Sequence, residues 1–251
     1  MALSDAVTSI FESVKHRTSI PVEVLTDPGL RVPGRVQMAR GDMRSHLATY
    51  NPNLGTAEYY LAFEAAFILR LFETPAASRA LFAGTGEGMA ELARLPLTAP
   101  LALIPAAARQ QLHSQLHDGL LTQVRSQPIG MRINEWLRKE YPELDDVQQQ
   151  GIDNEQRQAA QTVSPDIRLL SPAKVWEAST GMNAAVALFT DQLLGQHRYA
   201  VPFRAAGIES RGRELLALWD SIGPEPEHDR ERVDRWAGAL GLSSWYKWVP
   251  L

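Results

Sequence analysis

The apolar positions near the N-terminus repeat with the spacing of an amphipathic helix. Ala6, Ile10, Phe11 and Val14 share one helical face, because side chains three and four residues apart are neighbours on a helix. The next segment, SIPVEVLTDPG, carries β-branched residues followed by an Asp-Pro-Gly turn signal. It therefore predicts a strand and a turn.

Apolar and polar residues alternate over the following segment. Val36 and Met38 before the Gly41-Asp42 turn, and Leu47 and Thr49 after it, suit a β-hairpin or two edge strands. An Asn-Pro-Asn sequence then ends the run. We therefore expect the strands to be confined to the first fifth of the chain.

From Thr56 onward the periodicity is helical. Thr56 suits the N-cap of a helix that runs to about Phe72. Later patterns predict a helix from Ala106 to Arg125, a separate helix opened by Pro128, and a long buried helix ending near Gly195.

Three further segments have weaker patterns. Residues 143–161 are polar and rich in glutamine, which predicts an exposed helix at a domain edge. The glycine-rich GTGEG, residues 84–88, lacks the lysine of a P-loop and follows no predicted strand, so we expect a flexible loop. The aromatic tail SSWYKWVPL is expected to fold back on the last helix, with docking to a partner chain as the alternative.

These elements predict an α+β, mainly α fold with a small N-terminal β-sheet followed by a helical bundle. Ser-Pro pairs near residue 164 suggest two parts, residues 1–163 and 164–251, the second a helical region packed on the first.

Composition narrows the function classes. The chain has 251 residues, no cysteine and a net charge of -4, which excludes disulfides and thiolate metal sites and offers no basic surface for nucleic acid. No segment is apolar for the ~20 residues that a membrane span requires. The N-terminus also lacks signal-peptide features, so we expect a cytoplasmic protein.

One apolar helix carries a carboxylate at its centre. In YYLAFEAAFILRLF, residues 59–72, Glu64 lies between Phe63 and Phe67. In HExxH metallopeptidases, two histidines at i and i+4 hold zinc, and the glutamate after the first activates a zinc-bound water. Here the glutamate occupies the base position, and both histidine positions hold phenylalanine.

Two segments resemble bacterial zincin-like proteins related to HExxH, gluzincin-type metallopeptidases. AEYYLAFEAAFILRLFETP is similar to a pattern near YLIxHExxHILRLF followed by proline, and QPIGMRINEWLRKEYPELDDVQ is similar to one near PxDMRIExWLxxxYPEL. The run LATYNP precedes the first segment, as a cleft-lining edge strand precedes the metal helix of zincins. The resemblance implies a zincin-like fold over roughly residues 20–195.

The resemblance also implies three ligand positions, held here by Phe63, Phe67 and Asn134. Phenylalanine has no lone pair to donate, and an amide is a poorer zinc ligand than a carboxylate. Shifting the alignment by one residue would make Glu135 the third acid without restoring a histidine. We therefore expect a degenerate member of the group with no metal cofactor at this site.

Glu64 has more than one interpretation. It lies about 100° round the helix from Phe63, so it can face solvent while the phenylalanines pack in the core. If it is buried, Arg132 and Arg70 are candidate partners that would also line a cleft. A buried Glu64 would equally suit general acid–base chemistry.

Histidines supply the remaining candidates. His113 and His117 are spaced i and i+4, next to Asp118, a spacing that can bind metal. Surface pairs at this spacing are common, so we expect an exposed pair and keep a metal site as the alternative. His46, on the LATYNP strand, could face a cleft, although solvent exposure is the simpler expectation.

The leading functional hypothesis is a catalytically inactive, zincin-like pseudo-metallopeptidase. It would act as a binding or regulatory subunit and capture a protein or peptide partner along its edge strand. The alternatives are a metal-independent enzyme that uses Glu64 as general acid or base, and a plain helical interaction protein.

Overall fold

The computed structural model describes residues 3–251. Its α-helices, α1 to α11 in chain order, are Asp5–Thr18, Ala57–Glu73, Gly86–Arg94, Ala99–Ala102, Ala106–Glu140, Asp145–Gln161, Pro165–Leu169, Ala173–Leu194, Val201–Ala205, Glu209–Asp220 and Asp229–Ala239. Its strands, β1 to β5, are Val22–Thr26, Gly34–Gln37, His46–Tyr50, Ala80–Gly84 and Tyr246–Pro250. Helix accounts for 64% of the chain and strand for 10%. The fold is α+β and mainly α, as predicted.

Contacts group the chain into two compact units. The first joins the residues up to Arg79 with Arg132–Glu155, and the second joins Ala80–Met131 with Gln156–Leu251. Both units are discontinuous in sequence because α5 and α6 each contribute residues to both of them. The boundary predicted between residues 163 and 164 falls inside the second unit.

The first unit contains a three-stranded sheet in the order β1-β3-β2. β3 pairs in parallel with β1, with Val22 opposite His46, and antiparallel with β2, with Val36 opposite Ala48. The predicted pairing across Gly41-Asp42 is confirmed. The prediction that LATYNP forms an edge strand is wrong, because β3 is paired on both sides. Its side chains are the most buried of the three strands, which favours the central position.

Helices α1 and α2 pack on each other in the first unit. The apolar face predicted for α1 is buried, from Ala6 to Val14. The Ser4 side chain caps this helix, and the Ser4 backbone N–H donates to Glu58 Oε1 on α2 at 3.0 Å. The sequence therefore predicted both helices and the face by which α1 is buried.

A second sheet, in the second unit, corrects the expectation that strands end within the first fifth of the chain. β4 pairs antiparallel with β5, with Gly84 opposite Tyr246. The Phe82 ring stacks on Tyr246 at 4.4 Å between centroids. The Tyr246 hydroxyl and Trp248 Nε1 donate to Asp234 Oδ1 on α11, at 2.6 and 2.7 Å. The aromatic tail thus lies against the last helix, as expected, and it also forms a strand.

Helix α5 corrects the prediction of two helices, because it continues through Pro128. A proline inside a helix costs about 3 kcal/mol. The buried side chains on either side of it, among them Leu121, Val124 and Ile129, oppose that cost through packing. The Pro128 carbonyl also accepts a hydrogen bond from Trp219 Nε1 at 2.7 Å.

Helix α8 forms much of the core of the second unit. It is buried along most of its length and packs closely on α10. Gly212 allows the close approach, because a Cβ at this position would lie 2.7 Å from Ala184 Cβ. Among residues 3–251, every helix is too short or too polar to cross a membrane.

Candidate functional site

Aromatic side chains run along one face of α2. The Phe63 and Phe67 rings lie 5.4 Å apart between centroids, edge to face, and the Tyr59 ring lies 5.6 Å from Phe63. Tyr59, which is fully buried, extends the predicted phenylalanine stripe by one turn. The side chains at the two positions matched to histidines therefore pack against each other as apolar groups.

Asn134, at the position matched to the third ligand, lies against Tyr59. The Tyr59 hydroxyl donates to Asn134 Oδ1 at 3.1 Å, and Gln148 Nε2 donates to the same oxygen at 3.1 Å. Gln148 Nε2 also donates to the Asn134 carbonyl at 3.0 Å. The Asn134 amide oxygen is thus already engaged by two donors. The donor set of Phe63, Phe67 and Asn134 does not fit a zinc ion.

Helix α6 approaches Tyr59 closely because residue 151 is glycine. A Cβ at Gly151 would lie 2.2 Å from Tyr59 Cδ1 and 2.5 Å from Cε1. Gln148, one turn earlier on the same helix, is also buried. The prediction that residues 143–161 form an exposed helix is therefore wrong for the face of α6 that carries Gln148 and Gly151.

A second carboxylate, Glu155 on α6, lies beside α2. The Tyr60 hydroxyl donates to Glu155, and Glu64 is near enough to act on it electrostatically. The pKa of Glu155 is raised to about 7, because burial and, to a smaller extent, the charge of Glu64 raise it more than the hydrogen bond from Tyr60 lowers it. Glu155 therefore changes protonation near neutral pH, as a general acid or base must.

The arginines predicted beside Glu64 lie on α2 and α5. Arg132 Nη1 is 2.8 Å from Glu135 Oε2 in an i,i+3 pair, so the acid considered as a shifted third ligand is an ion-pair partner. Arg70 is half-buried near the C-terminal end of α2.

His46 is a buried structural residue, so the expectation that it faces solvent or a cleft is wrong. Its Nδ1 accepts from the Ala39 backbone N–H, and its Nε2 donates to Thr18 Oγ1, both at 3.0 Å. Burial lowers the pKa of His46, which keeps the ring neutral. Its position on the central strand β3 explains the burial.

A groove of about 470 Å³ in the first unit lies among α1, α2 and α5. Its lining mixes acids, bases and an aromatic ring: Glu12, His16, Arg17, Glu73 and Trp136. The described lining includes none of the predicted site residues, so the groove is distinct from the cluster formed by Tyr60, Glu64 and Glu155.

The histidine pair on α5 is buried, which corrects the expectation of a surface pair. His113 is 8% exposed and His117 is 3% exposed. His117 Nδ1 donates to Asp118 Oδ1 at 3.2 Å, and the His117 ring stacks on Trp245 at 5.7 Å between centroids. Within residues 3–251, the Nε2 atoms of His113 and His117 are both buried without a hydrogen-bond partner.

The GTGEG segment packs against the His117 ring through Gly84 and Gly88. It follows β4 and opens α3, so the expectation of a loop that follows no strand is wrong. Thr85 Oγ1 accepts from the Gly88 N–H at 3.1 Å and donates to the Ser244 carbonyl at 2.6 Å. The glycines allow the close contact with His117, and no P-loop lysine is present.

Sequence reasoning missed Tyr60, Gln148 and Glu155. One signal was available on each helix. Tyr60 and Glu64 are spaced i and i+4 on α2, and Gln148, Ile152 and Glu155 have the spacing of one face of α6. The polar character of residues 143–161 concealed that this face is packed.

Across residues 3–251, no cluster of three or more histidine or acidic side chains is arranged to hold a metal ion. Comparison with protein-family models, with curated proteins and with solved structures finds no match to this chain.

Proposed function

We propose that this protein is a zincin-like binding protein that holds an extended peptide against the open edge of its three-stranded sheet. The observation that carries the proposal is the position and exposure of β1. This strand is at the sheet edge, and four of its five residues are exposed, among them Val24 at 39% and Leu25 at 45%. An open strand edge binds an added strand through backbone hydrogen bonds, and neighbouring side chains supply specificity.

Two features support β1, rather than β3, as the binding strand. β3 is hydrogen-bonded to a strand on each side, so its backbone has no open edge. β1 pairs only with β3 among the described residues. We therefore propose that the peptide binds to β1, Val22–Thr26, and not to the LATYNP strand.

A lysine substitution on β1 tests this proposal. Peptides selected from a random library on the full chain should bind Leu25→Lys at least tenfold more weakly than wild type, because an edge lysine opposes strand addition. Val249→Lys on β5 is the matched control, since Val249 is 38% exposed and also lies on an edge strand. Binding unaffected by Leu25→Lys, or a library that yields no binder, would contradict the proposal.

The zincin-like relationship has its own test. A Phe63→His/Phe67→His/Asn134→Glu variant should gain zinc affinity if these residues occupy the ligand positions. Glu12→His is the control, because it creates an exposed i,i+4 pair with His16 on α1. A triple variant that folds and binds zinc no better than this control would remove the basis for the relationship.

A second candidate function, metal-independent acid–base catalysis, is favoured by one observation. Glu155 receives a hydrogen bond from Tyr60, lies near Glu64, and has its pKa raised to about 7. Two carboxyl groups, one of them protonated near neutral pH, are the usual requirement for hydrolysis of a glycoside.

Turnover of nitrophenyl esters and glycosides by the full chain tests this candidate. Activity lost in both Glu64→Gln and Glu155→Gln, with both variants folded, would support catalysis. No turnover above the buffer background, or activity retained in both variants, would reject catalysis of these reactions.

A further inference from the structure

The histidine pair on α5 is not explained by either proposed function. His113 and His117 are one turn apart, so their side chains share a helical face. Both side chains are buried, and the Nε2 atom of each has no hydrogen-bond partner within residues 3–251. A buried polar atom left unpaired costs about 1–3 kcal/mol. Two such imidazole nitrogens on one helical face make the pair a candidate for ligand binding.

The hydrogen bond to Asp118 fixes which nitrogen of His117 can bind a ligand. A carboxylate only accepts, so Nδ1 carries the proton and Nε2 carries the lone pair. Metal-binding histidines commonly donate their other N–H to a carboxylate, which fixes the tautomer and orients the ring. Asp118 supplies this arrangement from the adjacent position in the chain.

The glycines of GTGEG pack closely against the same ring. A Cβ at Gly88 would lie 3.0 Å from His117 Nε2 and 2.9 Å from Trp245 Cβ. A Cβ at Gly84 would lie 2.9 Å from His117 Cε1. Any larger residue would therefore press on the ring or on Trp245, so this close packing beside Nε2 requires glycine.

We propose that His113 and His117 bind a divalent transition-metal ion of the class that prefers imidazole, with Asp118 as the residue that positions His117. No third histidine or acid joins the pair within residues 3–251. Water or a small exogenous ligand therefore completes the coordination. Imidazole ligands favour Zn²⁺, Co²⁺, Ni²⁺ and Cu²⁺ over Mg²⁺ and Ca²⁺.

Titration of the full chain with Co²⁺ tests the site through Trp245. The Trp245 ring is stacked on His117 at 5.7 Å, so Co²⁺ bound at Nε2 should quench its fluorescence. We expect saturable quenching at one Co²⁺ per chain in wild type. Trp245→Phe should retain Co²⁺ binding, measured by equilibrium dialysis, while losing most of the quenching.

Three variants assign the ligands. His113→Gln and His117→Gln should each weaken Co²⁺ binding at least tenfold, and Asp118→Asn should weaken it about 10- to 100-fold through His117. The Asp118 side chain is 73% exposed, so its substitution leaves the packing intact. His16→Gln, in an exposed histidine of α1, is the matched control and should bind as wild type does.

Circular dichroism establishes that each variant is folded before its affinity is compared. The proposal is overturned if wild type shows no saturable binding. It is also overturned if the folded His113 and His117 variants bind as wild type does, or if His16→Gln lowers the affinity as much as they do.

Discussion

Two helical pairs in this protein share the i,i+4 spacing and differ in chemistry. Phe63 and Phe67 on α2 occupy positions where the family resemblance implies metal ligands, yet their rings only pack against each other. His113 and His117 on α5 carry ring nitrogens that can bind a metal, in a segment where no resemblance implies a site. Spacing alone therefore does not identify a metal site. The donor atoms, and whether neighbouring groups already engage them, distinguish the two pairs.

The surroundings of the pairs differ in the same way. Beside the phenylalanines, the Tyr59 hydroxyl and Gln148 Nε2 both donate to Asn134 Oδ1, while Gln148 Oε1 has no partner among the described residues. Beside the histidines, the Nε2 atoms remain without partners among the described residues. The two regions therefore differ in the kind of atom that is left unpaired, because a buried imidazole nitrogen is a far better ligand for a transition metal than an amide oxygen.

The largest expected effect concerns the packing that encloses Tyr59. Gly151→Ala should lower the free energy of unfolding by about 2–3 kcal/mol, because its Cβ would lie 2.2 Å from a Tyr59 ring carbon. Gly119→Ala on α5 is the control, since nothing lies within 4 Å of its added Cβ. It should stabilise the protein by up to about 1 kcal/mol through helix propensity. Urea unfolding measures the stability of both variants. Equal changes in the free energy of unfolding would show that Tyr59 is loosely packed.

The pH dependence of stability should reveal Glu155. Its folded pKa of about 7 lies above the ordinary value of 4.5, so its contribution is fully present below pH ~4.5 and is lost as pH rises through 7. Unfolding measured from pH 4.5 to 8 should show a loss on the order of 2 kcal/mol from this group. Glu155→Gln should remove that loss. A free energy of unfolding that falls with pH as steeply in this variant as in wild type would contradict the assignment.

Two substitutions beside Glu155 should move its pKa in opposite directions. Glu64→Gln removes a repelling charge and should lower the pKa, whereas Tyr60→Phe removes a donated hydrogen bond and should raise it. Carbon-13 NMR titration of the glutamate carboxyl groups measures both shifts. Shifts in the same direction would mean that the charge and the hydrogen bond do not act as described.

A smaller effect is expected for the hydrogen bond between Tyr59 and Asn134. Tyr59→Phe should cost about 1–2 kcal/mol, because it removes a buried donor while Gln148 continues to donate to Asn134. The control is Tyr141→Phe, which retains the ring contact with Trp136 and should change stability little. A Tyr59→Phe variant as stable as wild type would indicate that the network adds no net stability.

Patterns that are local in sequence predicted most of the fold. The apolar repeat of α1, the Asp-Pro-Gly turn and the apolar run of α2 each lie within one short segment, and each forms the expected element. The continuity of α5 through Pro128 was not predictable in this way. It depends on packing and on a hydrogen bond from Trp219, which is distant in sequence.

The site residues were less predictable for the same reason. Tyr59 and Asn134 are separated by 75 positions in the chain, and no pattern within either segment indicates that they meet. The burial of His117 depends on Trp245 and on the glycines of GTGEG, which come from two other segments. Sequence spacing identified the histidine pair, but only the fold shows that its nitrogens are enclosed.

Zinc stoichiometry tests the contrast between the two pairs most directly. The full chain is dialysed against Zn²⁺, and the bound metal is measured by mass spectrometry for wild type, His113→Gln/His117→Gln and Glu64→Gln. We expect one zinc per chain in wild type and in Glu64→Gln, and none in the histidine variant. Wild-type protein without zinc, or zinc lost in Glu64→Gln but kept in the histidine variant, would contradict it.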